Sequence, residues 1–270
     1  GRFNSFIGSL AGFTETGGGY STGVGYGTLY SQNVNGDAHN TAVGYTAGLA
    51  VTTGVQNTLI GALAGDALTD ADYNVAIGYG ALSSDTLGSR SIAIGRTALE
   101  AQNFTTATNA FNVAIGFAAG EAVTTGVQNT LIGGNSGVSL TTGLNNVAVG
   151  VRALFTDTLG FNSVAIGIDA LRTQNFTTAT ATYNVAVGAD AGRAVTTGTF
   201  NTLIGGLAGD ALTTSNNNIA IGYKALTADT VGTKTTAVGF EALTSQNFTT
   251  NTDSYNVAVG YTAGREITTG

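Results

Sequence analysis

The sequence predicts an all-β fold, a parallel β-solenoid (β-roll) of about fifteen coils, here called rungs. Three observations predict it: a five-residue signature ending in glycine recurs along the chain, it usually returns after seventeen residues, and β-branched residues alternate with glycine and asparagine corners. A repeat this short cannot form a helical hairpin or bury its own apolar face. Neighbouring repeats must therefore stack.

The closing glycine of each signature fixes the period. Successive closing glycines are seventeen residues apart, except for nineteen between Gly25 and Gly44 and twenty-one in every fourth rung after that. Four rungs make one super-repeat, which gives segments 45–116, 117–188 and 189–260 after a partial repeat at 1–44. We expect one repetitive domain over 1–270, in which equivalent residues such as Ile77 and Ile94 are stacked neighbours and fifteen rungs at about 4.8 Å make a rod of about 70 Å.

Two strands per rung are predicted. The residue before the closing glycine is always valine or isoleucine, which is typical of a strand. Three residues after that glycine, alanine occurs in thirteen of the fifteen rungs, followed by glycine or leucine. This pattern predicts a second short apolar strand.

Asparagine stands four residues before the closing glycine in eleven rungs, and serine or threonine in the others. Stacked asparagines can hydrogen-bond to one another and to turn backbone. We therefore expect a structural ladder of Asn40, Asn57, Asn74, Asn112, Asn129, Asn146, Asn184, Asn201, Asn218 and Asn256.

The two faces of the first strand predict association. In Asn-Val-Ala-Ile-Gly the valine and isoleucine share one face and the alanine lies on the other. If a narrow coil encloses only one face, an apolar stripe of about 700 Å² that includes Ala42, Ala76 and Leu59 is left on the surface, more than soluble monomers usually expose. We expect an identical chain to cover it by symmetry. The alternative is a wider single-chain coil in which the alanines of both strands pack against each other.

Composition argues against several classes of function. Cysteine is absent, His39 is the single histidine, and nine lysines and arginines against sixteen acidic residues give a net charge of −7, without a basic stripe for nucleic acid. Apolar runs of three to five residues are too short to enter a membrane as a span. Carboxylates recur with the repeat and lack a second carboxylate in fixed register. We therefore expect no enzyme, no catalytic residue, no cofactor and no metal.

Every fourth rung is four residues longer than the others and contains the sequence Gln-Asn-Phe-Thr-Thr. The inserted loops can contact a receptor or glycan, and their asparagines begin N-x-T glycosylation sequons. The opposing interpretation is that each phenylalanine folds back over a hydrophobic corner. The candidate contact residues are Asn103, Phe104, Thr105, Asn175, Phe176, Thr177, Asn247, Phe248 and Thr249.

Asp85, Asp157 and Asp229 recur once per super-repeat. Their period is compatible with a calcium ladder, but an aspartate that caps a turn explains the same recurrence more simply.

The whole chain resembles two groups of repeat proteins. NSVAIG at 162–167 and NVAIGYGAL at 74–82 resemble the head repeats of trimeric autotransporter adhesins, although adhesin rungs are shorter. NTAVGYTAG at 40–48 and VTTGVQNTLIG at 51–61 are more similar to repeats of phage tail-fibre-like proteins. The resemblance implies an extracellular homotrimer, in a virion tail fibre or on a bacterial surface.

We therefore expect a structural fibre segment, a tail fibre or the stalk or head of an adhesin, that gives rigid reach and presents a binding surface. Both ends fall inside the repeat, which favours a piece of a longer fibre. The alternative function is a receptor- or glycan-binding module that uses the inserted loops, with a cell-surface glycan or receptor as partner.

Overall fold

The computed structural model describes residues 3–269 and confirms the parallel β-solenoid. No helix occurs in that range, and a three-residue strand recurs once per repeat. The chain divides into two compact units, Gly1–Gly134 and Asn135–Gly270. Eight rungs belong to the first unit and seven to the second.

The strands of the first unit are β1 (Ser5–Ile7), β2 (Thr22–Val24), β3 (Thr41–Val43), β4 (Thr58–Ile60), β5 (Val75–Ile77), β6 (Gly88–Ser89), β7 (Ile92–Ile94), β8 (Thr108–Asn109), β9 (Val113–Ile115) and β10 (Thr130–Ile132). Those of the second are β11 (Val147–Val149), β12 (Gly160–Phe161), β13 (Val164–Ile166), β14 (Thr180–Ala181), β15 (Val185–Val187), β16 (Thr202–Ile204), β17 (Ile219–Ile221), β18 (Gly232–Thr233), β19 (Thr236–Val238), β20 (Thr252–Asp253) and β21 (Val257–Val259).

Within each unit, the three-residue strands pair in parallel with the signature in register. Between β5 and β7, for example, Val75 pairs with Ile92, Ala76 with Ala93 and Ile77 with Ile94. The predicted stacking of Ile77 and Ile94 is thus confirmed. The two-residue strands form separate pairs, β6 with β8, β12 with β14 and β18 with β20, next to the inserted loops.

The predicted second strand after the closing glycine is wrong. The residues two and four positions after that glycine have left-handed backbone, as at Thr46 (φ 52°) and Leu29 (φ 49°), so the segment turns instead of extending. Its backbone groups still bond to the next rung, for example Leu29 N–H to the Ala47 carbonyl at 3.2 Å. Inter-rung hydrogen bonding therefore needs no second strand here.

The expected alanine stripe on the surface is also wrong, because the alanines line the interior. Ala76, Ala93 and Ala114 are fully buried within one chain, and so are Ala81 and Ala98 of the following segments. The alternative, a wider single-chain coil with both sets of alanines inside, is the observed arrangement. The valines and isoleucines on either side of each strand alanine face outward instead.

The super-repeat of four rungs follows from how the interior is filled. Leu59 replaces alanine in the strand once per super-repeat, and its methyl groups occupy the space above Gly48 and Gly65. A Cβ added to Gly48 would lie 2.7 Å from Leu59 Cδ1, and one added to Gly65 would lie 2.8 Å from its Cδ2. In the rungs away from the strand leucine, leucine stands in place of that glycine, as at Leu82 and Leu99, which are fully buried. Large and small residues therefore alternate to keep the interior close-packed.

Candidate functional site

The outward sides of the three-residue strands form an apolar surface, here called the outer face. It consists of the first and third residues of each strand, which are valine, isoleucine or threonine in all but the first rung, where the first residue is Ser5. Ile60, Ile166 and Ile204 are each 37% exposed, whereas the middle residues between these positions are buried. In both units the larger apolar residues of the strand therefore face solvent.

Exposed aromatic residues flank the outer face. Tyr20, Tyr73, Phe111, Tyr183 and Phe200 precede their strands and have left-handed backbone. Tyr183 stacks on Phe200 with ring centroids 5.4 Å apart, and the Arg90 guanidinium lies 4.9 Å from the Tyr73 ring centroid. On the other side, the residue after the closing glycine is often aromatic, and Phe240 stacks on Tyr261 at 5.3 Å. Sequence analysis missed these columns, although aromatic residues recur at both positions.

The predicted asparagine ladder lies inside the coil. Each of Asn40, Asn57 and Asn74 is fully buried. Asn57 Nδ2 donates to the Ala71 carbonyl at 2.7 Å, and Asn57 Oδ1 accepts from the Asn74 backbone N–H at 3.0 Å. The same bonds recur in both units, for example from the Asn201 backbone N–H to Asn184 Oδ1 at 2.9 Å. The ladder satisfies turn backbone and leaves no side chain for a ligand at these positions.

The phenylalanines of the inserted loops fold back onto the body of their unit. Phe104, Phe176 and Phe248 are 6%, 6% and 8% exposed. A Cβ on Gly88 would lie 2.7 Å from the Phe104 ring, so a glycine is needed beneath it. The rings are therefore not available to a receptor.

The remaining candidate contact residues of the loops are exposed: Asn103, Thr105, Asn175, Thr177, Asn247 and Thr249. Each asparagine accepts a hydrogen bond from a threonine of the preceding rung, at 3.2 Å for Thr86 Oγ1 to Asn103 Oδ1. A receptor or glycan role of these residues stays a prediction.

The recurring aspartates cap turns, as the simpler interpretation predicts. Asp85 is fully buried and accepts from the backbone N–H groups of Gly88 and Phe104, each at 3.0 Å, through Oδ1. Its Oδ2 accepts from Gln102 Nε2 at 2.6 Å, and Gln102 Oε1 accepts in turn from Asn112 Nδ2 at 2.8 Å. Asp157 and Asp229 have the same partners in their own rungs.

Among residues 3–269, no group of three histidines or carboxylates is placed to hold a metal ion. One carboxylate pair does form, because Glu100 and Glu121 occupy the same position of successive rungs. Burial raises the pKa of Glu121, and the charge and hydrogen bond of Glu100 raise it further, against an opposing effect of Arg96. Sequence analysis missed this pair, since only the register brings the two side chains together.

Other carboxylates also have shifted pKa values. Burial raises the pKa of Asp66 in the first unit and of Asp210 in the second. The hydrogen bond from Arg152, at 2.7 Å to Asp169 Oδ2, lowers the pKa of Asp169. Asp169 Oδ1 also lies 3.5 Å from Arg172 Nε, and both arginines are partly exposed, so these ion pairs contribute little to stability in water.

Comparison with known proteins adds no identity. No protein-family model, no curated protein and no solved structure matches this chain. Across residues 3–269, no helix has the length and hydrophobicity needed to cross a membrane. The fold and the outer face are therefore the basis on which a function is proposed.

Proposed function

We propose that the chain is a structural segment of an extracellular fibre, in which three copies associate along their outer faces. The observation that supports this proposal is that the strands place valine, isoleucine and threonine on their outward side, while most of them hold alanine on the inward side. An isolated soluble coil has no need of that arrangement. A neighbouring copy would remove from water the valines and isoleucines and the aromatic residues that precede the strands, and this burial is the main favourable term in association.

The size of the outer face is compatible with association. Three strand residues span about 10 Å, and eight rungs at about 4.8 Å span about 38 Å, so the strand part alone covers about 400 Å² in the first unit. The largest apolar patches on monomers measure about 300–600 Å² and are often functional. The exposed aromatic residues that precede the strands, such as Tyr73 and Phe111, enlarge this surface further.

Three copies are proposed because the repeats resemble those of trimeric fibre proteins. Parallel chains related by a threefold axis would bring equivalent rungs to the same height, so that equivalent outer residues would meet in every layer. Such a fibre provides reach and presents the exposed loop residues, for example Asn103 and Thr105, at regular intervals. Rigid reach and the presentation of a binding surface are the role of a structural segment both in a tail fibre and in a bacterial surface adhesin.

Sedimentation velocity of the whole chain tests the proposal. We expect a species of three times 26.9 kDa. The double variant Ile60→Glu and Ile166→Glu places one like charge per unit on the outer face and should give the mass of a single chain, while circular dichroism stays unchanged. The control Thr125→Glu adds a charge at an exposed turn away from the face and should stay associated. A wild-type chain that sediments as a single copy at every concentration would overturn the proposal.

A further inference from the structure

A groove in the first unit lies beyond the outer face, on the side that follows the strands. It has a volume of about 550 Å³ and is lined by Leu10, Tyr26, Gly27, Tyr30, Ser31, Tyr45, Thr46, Leu49 and Ala50. Small-molecule sites typically measure about 300–1,000 Å³ and combine apolar walls with a few polar groups. The groove meets both conditions, since its walls are leucine and tyrosine and its polar groups are hydroxyls.

Gly27 has no side chain and lies in the wall of the groove. At the same position of other rungs in this unit, two residues after the closing glycine, stand Leu10 and Leu63, and also Thr46, Thr97 and Ala118. Gly27 has a φ of 64°, close to 62° for Leu10 and 61° for Leu63. A side chain on Gly27 would enter the space beside Leu49 Cδ1, which lies 3.3 Å from the Cβ position. Glycine here therefore opens a gap that the same backbone fills elsewhere.

The tyrosines of the groove are held in fixed positions. Tyr26 stacks on Tyr45 with ring centroids 5.5 Å apart and an interplanar angle of 11°, and Tyr30 stacks on Phe13 at 5.1 Å and 5°. Tyr26 and Tyr45 are 47% and 58% exposed. Preformed aromatic walls reduce the ordering that a ligand would otherwise impose.

A second glycine at the equivalent position of another rung shows that the absence of charged residues is particular to the Gly27 groove. Gly80, with a φ of 64°, also leaves a gap, but the side chains near it include Glu100, and the residue that corresponds to Tyr45 is Arg96. The lining at Gly27 has no charged residue. A charged ligand would lose solvation there without meeting an opposite charge, so the groove suits a neutral ligand.

We propose that the Gly27 groove binds a short neutral oligosaccharide. Sugar rings present C–H faces that pack on tyrosine rings and hydroxyl groups that exchange hydrogen bonds with Tyr30, Ser31 and the other tyrosine hydroxyls. Leu10 and Leu49 exclude water from the apolar side of the ligand. The site is separate from the inserted loops and does not depend on the copy number of the fibre.

Saturation-transfer NMR with the whole chain tests the site, using maltotriose, cellotriose and triacetylchitotriose as neutral probes and sialyllactose as a charged one. We expect transfer to at least one neutral probe and none to sialyllactose. Gly27→Leu, which fills the groove with the residue that the preceding rung carries at this position, should weaken binding by about tenfold or more. The matched control Gly80→Leu makes the same change at the other gap and should bind as the wild type does.

Tyr30→Ala removes one wall without altering the backbone and decides the matter if Gly27→Leu does not fold. Undiminished binding in a folded Gly27→Leu or Tyr30→Ala variant would overturn the proposal. The absence of transfer to all three neutral probes, or equal transfer to sialyllactose, would do the same. Sedimentation of each variant separates these outcomes from a failure of the fibre proposal.

Discussion

The inner and outer sides of the same three-residue strands differ in the size of their residues and in the range of residue types that they accept. Inside, the three-residue strands from β3 onward hold alanine, with leucine once per super-repeat, and the adjoining polar side chains such as Asn57 and Asp85 are fully buried and hydrogen-bonded. Outside, valine, isoleucine and threonine interchange, and Ile60 and Ile115 remain 37% and 36% exposed. The difference teaches that the interior of the coil limits the size of the inner residue, whereas the outer residue is not under that limit.

The closing glycines allow the backbones of successive rungs to approach each other closely, and their replacement should cause the largest loss of stability. Gly205 has a φ of 130°, and a Cβ there would lie 2.6 Å from the carbonyl of Gly222 in the next rung. Gly205→Ala combines a disfavoured backbone with a clash against backbone, so we expect a loss of about 4 kcal/mol in stability. Urea denaturation followed by circular dichroism measures it.

The adjacent Gly206 provides the matched control. It has no left-handed φ, and the nearest atom to an added Cβ is a carbon of the Tyr223 ring at 3.5 Å, which is ordinary contact. Gly206→Ala should change stability by under about 1 kcal/mol, because a less flexible unfolded chain offsets any small crowding. Equal losses for the two alanine variants would contradict the assigned role of the closing glycine.

Substitution of a buried aspartate should cause the next largest loss of stability. In the wild type, Asp85 Oδ1 accepts two backbone N–H groups and Oδ2 accepts a hydrogen bond from Gln102 Nε2. In Asp85→Asn, the new NH₂ group replaces one of these two oxygens, so that a donor faces a donor. Gln102 cannot turn over without losing Asn112. We expect a loss of about 2–3 kcal/mol, typical of a buried donor left without an acceptor.

Asp70→Asn is the control for that change. Asp70 is exposed and accepts one hydrogen bond, from Thr53 Oγ1 at 2.6 Å. Its loss should be under about 0.5 kcal/mol. Amide hydrogen exchange adds a local measurement: Asp85→Asn should increase exchange at Gly88 and Phe104, and unchanged exchange there would argue against the capping role.

Much of the fold was predictable because the repeat itself carries the register. Closing glycines, strand positions and the asparagine ladder recur with fixed spacing, so Ile77 had to stack near Ile94 once the rungs were placed one above another. The super-repeat was visible in the same way. Its physical cause is the fit of Leu59 between Gly48 and Gly65. That fit was not visible in the sequence, because it is a packing contact between residues of successive rungs.

The errors share one cause, which is backbone conformation. Alanine followed by leucine suggested a second strand, but a leucine such as Leu82 adopts a φ of 55° in this fold, a conformation that sequence patterns assign to glycine. With that segment turned, the coil is wide enough to enclose both sets of alanines. The outer valines and isoleucines were then placed on the wrong side, and the flanking aromatic columns and the Gly27 groove were missed.

The smallest losses of stability are expected for substitutions of two neighbouring residues that lie on opposite sides of β9. Ala114 is fully buried between Ala93 and Leu131 of the adjoining strands, whereas Ile115 is 36% exposed. Ala114→Thr adds a methyl group and a hydroxyl to a packed interior, so we expect a loss of about 1–2 kcal/mol. Ile115→Thr introduces a β-branched residue that other rungs carry on the outer face at the first strand position, although not at this third position, and it should cost under about 1 kcal/mol within a single chain. Urea midpoints at low protein concentration measure both, and sedimentation shows whether Ile115→Thr weakens association. If the two variants lose the same stability at low concentration, the outer face is as constrained as the interior, and the contrast between the two sides of the strand fails.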